Sequence, residues 1–150
     1  MGAGSAVLRD YTKSMKHHWH EAAFIPDLTD AEAAWAVARR FVELRDDEFA
    51  GGFVLRRFEE FTAGEVRTWW VRGVCVLVGA HPDTPHDAVG TPSVDVVAPM
   101  VAQVEVPFVT VDFVLRADGV WRVVELGDGQ VSDRPVTMAP EALVAALFGA

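Results

Sequence analysis

Residues 108–133 read FVTVDFVLRADGVWRVVELGDGQVSD. Two apolar runs flank Asp118-Gly119, a dipeptide that accepts the positive φ angles of a type I′ turn, so the stretch predicts a β-hairpin with a two-residue loop. Asp112 and Glu125 then each stand six residues from the tip, directly opposite one another on one face. Val109, Val111, Phe113 and Leu115, with Val120, Val124 and Leu126 across from them, form the other face and predict a core surface. Like charges opposed across a ladder cost about 0.2–1 kcal/mol even when solvated, and more when buried. A cation between them removes the penalty, and hard oxygen ligands suit Mg²⁺. The alternative is a sheet face whose acids simply point to water, and a three-residue loop would shift the register. With the two-residue loop, Arg116 and Trp121 share the acidic face as a cation–π pair.

The surrounding pattern is helix, antiparallel strands, helix, hairpin, helix, which predicts an α+β fold rather than a doubly wound parallel sheet. A short strand is expected over 6–11. A helix follows at LTDAEAAWAVARRFVELR, with Thr29 and Glu32 spaced as a capping box and Trp35, Ala38, Phe41 and Val42 on one face. Strands are expected over 53–61, 65–72 and 74–80, joined by turns at TAG and RG. The loop HPDTPHDAVGTP is too rich in Pro and Gly for regular structure. A helix is expected over 93–104, with Pro99 near its start or kinking it, and a last helix opens at Pro140. Trp69 and Trp70 alternate across their strand, one directed to the core and the other to a cleft.

Composition narrows the function. The chain has 150 residues, 51% of them hydrophobic, enough for a core. A formal net charge of -9 argues against general nucleic-acid binding. The single cysteine, Cys75, forbids an internal disulfide and lies in an apolar run, as a buried inert thiol would. No apolar run approaches a membrane span, and Gly2 lacks the Ser/Thr of a myristoylation signal. A cytoplasmic protein is expected. GAGSA has neither the spacing nor the preceding strand of a nucleotide-binding glycine loop.

Arg9, Lys13 and Lys16 gather cations in a chain that is otherwise acidic. A solvated basic patch is one reading; phosphate recognition is the other, with Lys as a point charge and Arg as a fork. His17, His18 and His20 with Glu21 do not match the usual zinc spacings.

The segments RDYTKSMKHHW, FVLRRFEEFTAGEVRTWWV and PFVTVDFVLRADGVWRVVELGDGQVSD, with the closing helix, together resemble the ATP-grasp superfamily. The chain is most similar to the clade of small domains marked by one arginine and two lysines, from Val7 onward. The resemblance implies two small lobes of antiparallel strands with packed helices, a first over about 6–52 and a second over about 53–150. It implies ATP and Mg²⁺ as cofactors and Lys13 and Lys16 on the phosphates with Arg9 nearby. The hinge strand, with Arg56 and with Glu59 or Glu60, would meet the adenine.

Arg67 matches the arginine that faces the phosphates or acyl group, and Asp112 and Glu125 match the metal-binding acids. The usual third ligand, an Asn two residues after the Glu, falls at Gly127, so Asp128 or Gln130 would take its place. The implied chemistry is activation of a carboxylate as an acyl phosphate for attack by an amine. The expected partners are therefore a small-molecule or peptide carboxylate and an amine, with no nucleic acid and no membrane, and a homodimer is left open. The abrupt N-terminus suggests a chain without the α/β domain that usually precedes this region. A truncated or non-catalytic nucleotide-binding domain is the alternative function.

Overall fold

Alternation in the first strand, β1 (Ala6–Arg9), puts Ala6 and Leu8 on one face and Val7 and Arg9 on the other. In the computed structural model, which describes residues 4–62 and 64–149, β1 is the centre of a three-stranded antiparallel sheet. Its neighbours are β2 (Phe24–Ile25) and β3 (Val54–Arg57). The long helix α1 (Ala31–Arg45) packs Val37, Ala38 and Phe41 against Leu8, Ala22 and Ile25, and this is the core of the first unit.

Asp30, not Thr29, caps α1: its Oδ1 accepts the Ala33 N–H at 2.9 Å. Thr29 is drawn off by Asp27, which accepts both its N–H and its hydroxyl at 2.8 Å, so the expected capping box does not form. The stretch between β1 and β2 is more regular than its polar sequence suggests, with a 3-10 turn at Lys16–His18 and a π-turn at Trp19–Ala23. The expected strand over 53–61 is shorter than its sequence run and pairs with β1, so the first unit ends at Glu59 and the second begins at Glu60.

The second unit is a four-stranded antiparallel sheet in the order β5-β4-β6-β7, formed by β4 (Val66–Val71), β5 (Val74–Ala80), β6 (Phe108–Leu115) and β7 (Trp121–Asp128). Val66, Trp70, Val109, Val111 and Phe113 line one face and pack against Val97 and Val101. The helix expected over 93–104 is broken into a 3-10 turn, Val94–Val96, and the short α2 (Ala98–Ala102), with Pro99 in the first turn of α2. The final helix α3 (Pro140–Phe148) starts at Pro140 as expected. Among the described residues no helix is long and apolar enough to cross a membrane. The TAG turn includes Ala63, and Gly2 lies in residues 1–3; both are outside the described residues. The Cys75 thiol is half-buried and burial pushes its pKa up, as an unreactive thiol requires. The architecture is α+β.

The β6–β7 hairpin reaches its expected pairing by a different route. Its loop has three residues, Ala117 to Gly119, with Gly119 at φ 84° and its N–H donated to the Arg116 carbonyl at 2.8 Å. Leu115 therefore faces Trp121, and the expected Arg116–Trp121 pair does not form. The Arg116 guanidinium instead binds the adjacent Asp118 carboxylate. A β-bulge then inserts Val124 as an extra residue and shifts the register between Asp112 and Phe113. The two one-residue irregularities cancel, and Asp112 stands opposite Glu125.

Candidate functional site

Strand alternation places Arg67 and Trp69 of β4, Thr110 and Asp112 of β6, and Glu125 and Gly127 of β7 on the face opposite the core of the second sheet. The β4–β5 hairpin adds to it. A bulge there, between Trp69 and Trp70, sets the register so that Val66 pairs with Ala80, and the His81 N–H donates to the Glu65 carbonyl at 2.9 Å. Glu65 and His81 thereby close the same end of the face.

At its centre is a fork. Arg67 donates Nε to Asp112 Oδ1 and Nη2 to Asp112 Oδ2, both at 2.7 Å. Its Nη2 also donates to His81 Nε2 at 2.9 Å and its Nη1 to the Asp133 carbonyl at 3.0 Å. A guanidinium has five N–H groups, and the protein occupies most of them here. Arg67 is 8% and Asp112 2% exposed. Burial alone would lower the Arg67 pKa. Hydrogen bonding and attraction to Asp112, with further attraction to Glu125 and Glu65, outweigh it and raise the pKa above the ordinary value.

The face is therefore rich in acceptors. Ligand atoms of Glu65, His81 and Asp112 all lie within 4.8 Å of one another, and the exposed Glu125 is paired across the ladder with Asp112. Glu65, Asp112 and Glu125 bring three carboxylates, and so several hard oxygens, to this face beside Arg67. Such a donor set fits a divalent cation of the Mg²⁺ type, with the imidazole as a softer neighbour. Asp128 is placed differently. It pairs with Val109, on the core side of the ladder, and its Oδ1 accepts the Gln130 N–H at 2.9 Å, capping a short 3-10 turn.

The space beside Gly127 belongs to two hydroxyls. Thr110 Oγ1 and Ser132 Oγ are 2.8 Å apart, and Ser132 Oγ donates to the Asp128 carbonyl at 2.8 Å. A Cβ at Gly127 would come within 2.9 Å of Thr110 Oγ1. Trp69 is also buried, its ring beside Gly79, rather than presented to a cleft.

The remaining predicted residues lie in or next to the first unit. Lys13 and Lys16 are on the segment after β1, Lys13 exposed and Lys16 on its 3-10 turn. Arg56 pairs with Val7 and so shares a sheet face with Arg9, while Arg9 folds onto the Asp10 and Thr12 carbonyls at 3.3 and 3.4 Å. Glu59 and Glu60 lie in irregular chain at the end of the first unit and the start of the second. Ammonium groups on a short surface turn are suited to an anionic phosphate chain.

Glu65 and His81 escape a reading of the sequence by motif. Glu65 is within reach of simple alternation, because it stands two residues before Arg67 and shares its face. His81 is not, since its register depends on the bulge.

The family model that matches is an ATP-grasp domain, the third family of the clade marked by one arginine and two lysines, and it covers residues 1–147. No curated protein and no solved structure matches the chain. With nearly its whole length covered, and with an α+β fold of two antiparallel sheets, the chain belongs to the ATP-grasp domains of that clade, a family of ATP-dependent ligase-type or nucleotide-binding domains.

Proposed function

We propose that this domain binds ATP with Mg²⁺ and activates a carboxylate for condensation with an amine. In this reading a carboxylate oxygen attacks the γ-phosphorus and ADP departs. The amine nitrogen then attacks the acyl carbon of the acyl phosphate, losing a proton and expelling inorganic phosphate. The observation that carries the proposal is the acceptor-rich face around Arg67, Asp112 and Glu125 in a chain of the ATP-grasp family.

Asp112 and Glu125 would hold the metal, with Glu65 and His81 beside them. Mg²⁺, when bound, supplies charge neutralisation for the phosphates. Lys13 and Lys16 hold phosphate oxygens, Arg9 and Arg56 add positive charge to one sheet face, and Glu59 or Glu60 meets the adenine. Arg67 acts through Asp112: by saturating the carboxylate from one side it fixes the direction in which the remaining lone pairs face. Asp128 holds the turn after β7 from the other face of the ladder and takes no part in the metal site.

A second reading, nucleotide binding without ligation, is favoured by two observations. Arg67 directs most of its donors to protein acceptors, and position 127 has no side chain to offer a ligand. Measurement of ADP release against a panel of carboxylates and amines separates the two. ADP formed only when both substrates are present supports ligation. ATP binding with no ADP under any pair supports the second reading, and a folded protein that does not bind ATP rejects both.

A further inference from the structure

The turn that leaves β1 contains a carboxylate with no accessible surface. Asp10 is 0% exposed. Its Oδ1 accepts the N–H of Thr12 at 2.7 Å, the N–H of Lys13 at 2.6 Å and the Thr12 hydroxyl at 2.9 Å. Its Oδ2 accepts Nε of Arg45, the last residue of α1, at 2.9 Å. The Asp10 N–H in turn donates to the Lys13 carbonyl at 3.0 Å, and Arg9 and Ser14 form a β-bridge around the turn. Both backbone polar groups of Lys13 are thus bound to one residue.

Arg45 is itself braced. Its Nη2 donates to Thr12 Oγ1 at 3.2 Å and to the Glu48 carbonyl at 2.8 Å, and its Nη1 to the Glu48 carboxylate at 2.8 Å. Arg9 donates to the Asp10 and Thr12 carbonyls, so its guanidinium serves the turn as well as adding charge.

A surface turn closes without any buried charge, since backbone bonds and an exposed Asx side chain suffice. Burying a carboxylate is costly unless every lone pair is satisfied. Here burial would raise the Asp10 pKa, but the N–H bonds from Lys13 and Thr12, with the Thr12 hydroxyl and Arg45, outweigh it and hold the carboxyl far below its ordinary range. The outcome is a fixed backbone at Lys13, which is itself exposed to solvent.

We infer that Asp10, clamped by Arg45, is the positioning residue for Lys13, holding the backbone from which that ammonium meets a phosphate of a nucleoside triphosphate. The inference rests on the proposed ATP-binding reading and adds to it a division of labour: Lys13 contacts the anion, while Asp10, Arg45 and Arg9 hold the turn.

A thermodynamic cycle tests it. ATP affinity in the presence of Mg²⁺ is measured by calorimetry for the wild type, Asp10→Asn, Lys13→Ala and the double variant, with melting temperatures recorded alongside. Asp10→Asn is expected to weaken ATP binding about tenfold in the wild-type background and to have no further effect once Lys13 is Ala. A purely structural acid would give the same loss in both backgrounds, and that result overturns the inference, as does wild-type affinity in folded Asp10→Asn. If Asp10→Asn fails to fold, Thr12→Ala carries the same cycle, because the exposed Thr12 hydroxyl touches both Asp10 and Arg45 and its loss should leave folding intact. A wild type that binds no ATP rejects the proposed function and this inference together. Wild-type binding with no coupling between positions 10 and 13 rejects the inference alone.

Discussion

Asp10–Arg45 and Asp112–Arg67 are the same pair chemically, a buried carboxylate held by an arginine whose side chain is 10% exposed in each case. Their surroundings are opposite. Around Asp10 the donors are in excess: two backbone N–H groups, a hydroxyl and Arg45 all converge on one acid. Around Arg67 the acceptors are in excess: Asp112, His81 and the Asp133 carbonyl share one base, with Glu65 and Glu125 close enough to raise its pKa. A donor-rich site has no need of a further cation and works as a clamp. An acceptor-rich site presents hard oxygens to a further cation, which suits it to recruiting a metal. The number of acids in a cluster does not distinguish these cases; the balance of donors and acceptors does.

The contrast is tested most severely by removing each arginine. Arg67→Met leaves Asp112 buried without a cation and should cost about 3–5 kcal/mol, read from urea unfolding. Millimolar Mg²⁺ should restore part of that loss, because a divalent ion can now use the acceptors that Arg67 vacated. Arg45→Met should cost less, about 2 kcal/mol, since Asp10 keeps its other bonds, and Mg²⁺ should not restore it. Equal recovery of both variants by Mg²⁺ would contradict the distinction.

Acid probes the same difference. The folded-state pKa of Asp10 lies below its unfolded value, so its contribution to stability is complete above the unfolded carboxyl range near about pH 4. It is lost progressively as pH falls from there toward the folded value. The stability gap between wild type and Asp10→Asn should therefore be constant above that range and close below it, in urea titrations run at stepped pH.

A smaller effect is expected at Gly127. Gly127→Asn brings a Cβ to within 2.9 Å of Thr110 Oγ1, and should cost about 1–2 kcal/mol by overpacking. Thr110→Ala should relieve most of it, because the obstacle is a side-chain hydroxyl. Melting temperatures of the two single variants and the double variant decide whether the hydroxyl pair or the backbone sets the limit.

Much of the fold can be read from alternation and turn chemistry. β5 coincides with its expected span, and the core face of β6 carries the expected Val109, Val111 and Phe113. The Asp112–Glu125 pairing also follows from the sequence, though only because a three-residue loop and a bulge at Val124 offset one another. Bulges are set by packing across neighbouring strands and leave little local signal. A two-residue loop reading therefore sets Trp121 opposite Arg116, and alternation alone misses His81.

The first unit shows a different gap. Reading Arg9, Lys13 and Lys16 as a basic patch passes over the acid between them. Yet Asp10 followed by Thr12 is an Asx-turn pattern, and its burial depends on Arg45, thirty-five positions away in the chain. Local chemistry is legible there, and the long-range partner that gives it meaning is not.

If the acceptor-rich face of the second unit holds the metal of a bound nucleotide, Mg²⁺ and ATP must bind cooperatively through Asp112 and Glu125. Calorimetric titration of ATP, with and without Mg²⁺, into the wild type and into Asp112→Asn/Glu125→Gln reads this coupling. Mg²⁺ should tighten ATP binding by the wild type, and the folded double variant should lose this enhancement. Mg²⁺ enhancement that survives in the double variant, or a folded wild type that binds no ATP, would contradict the assignment.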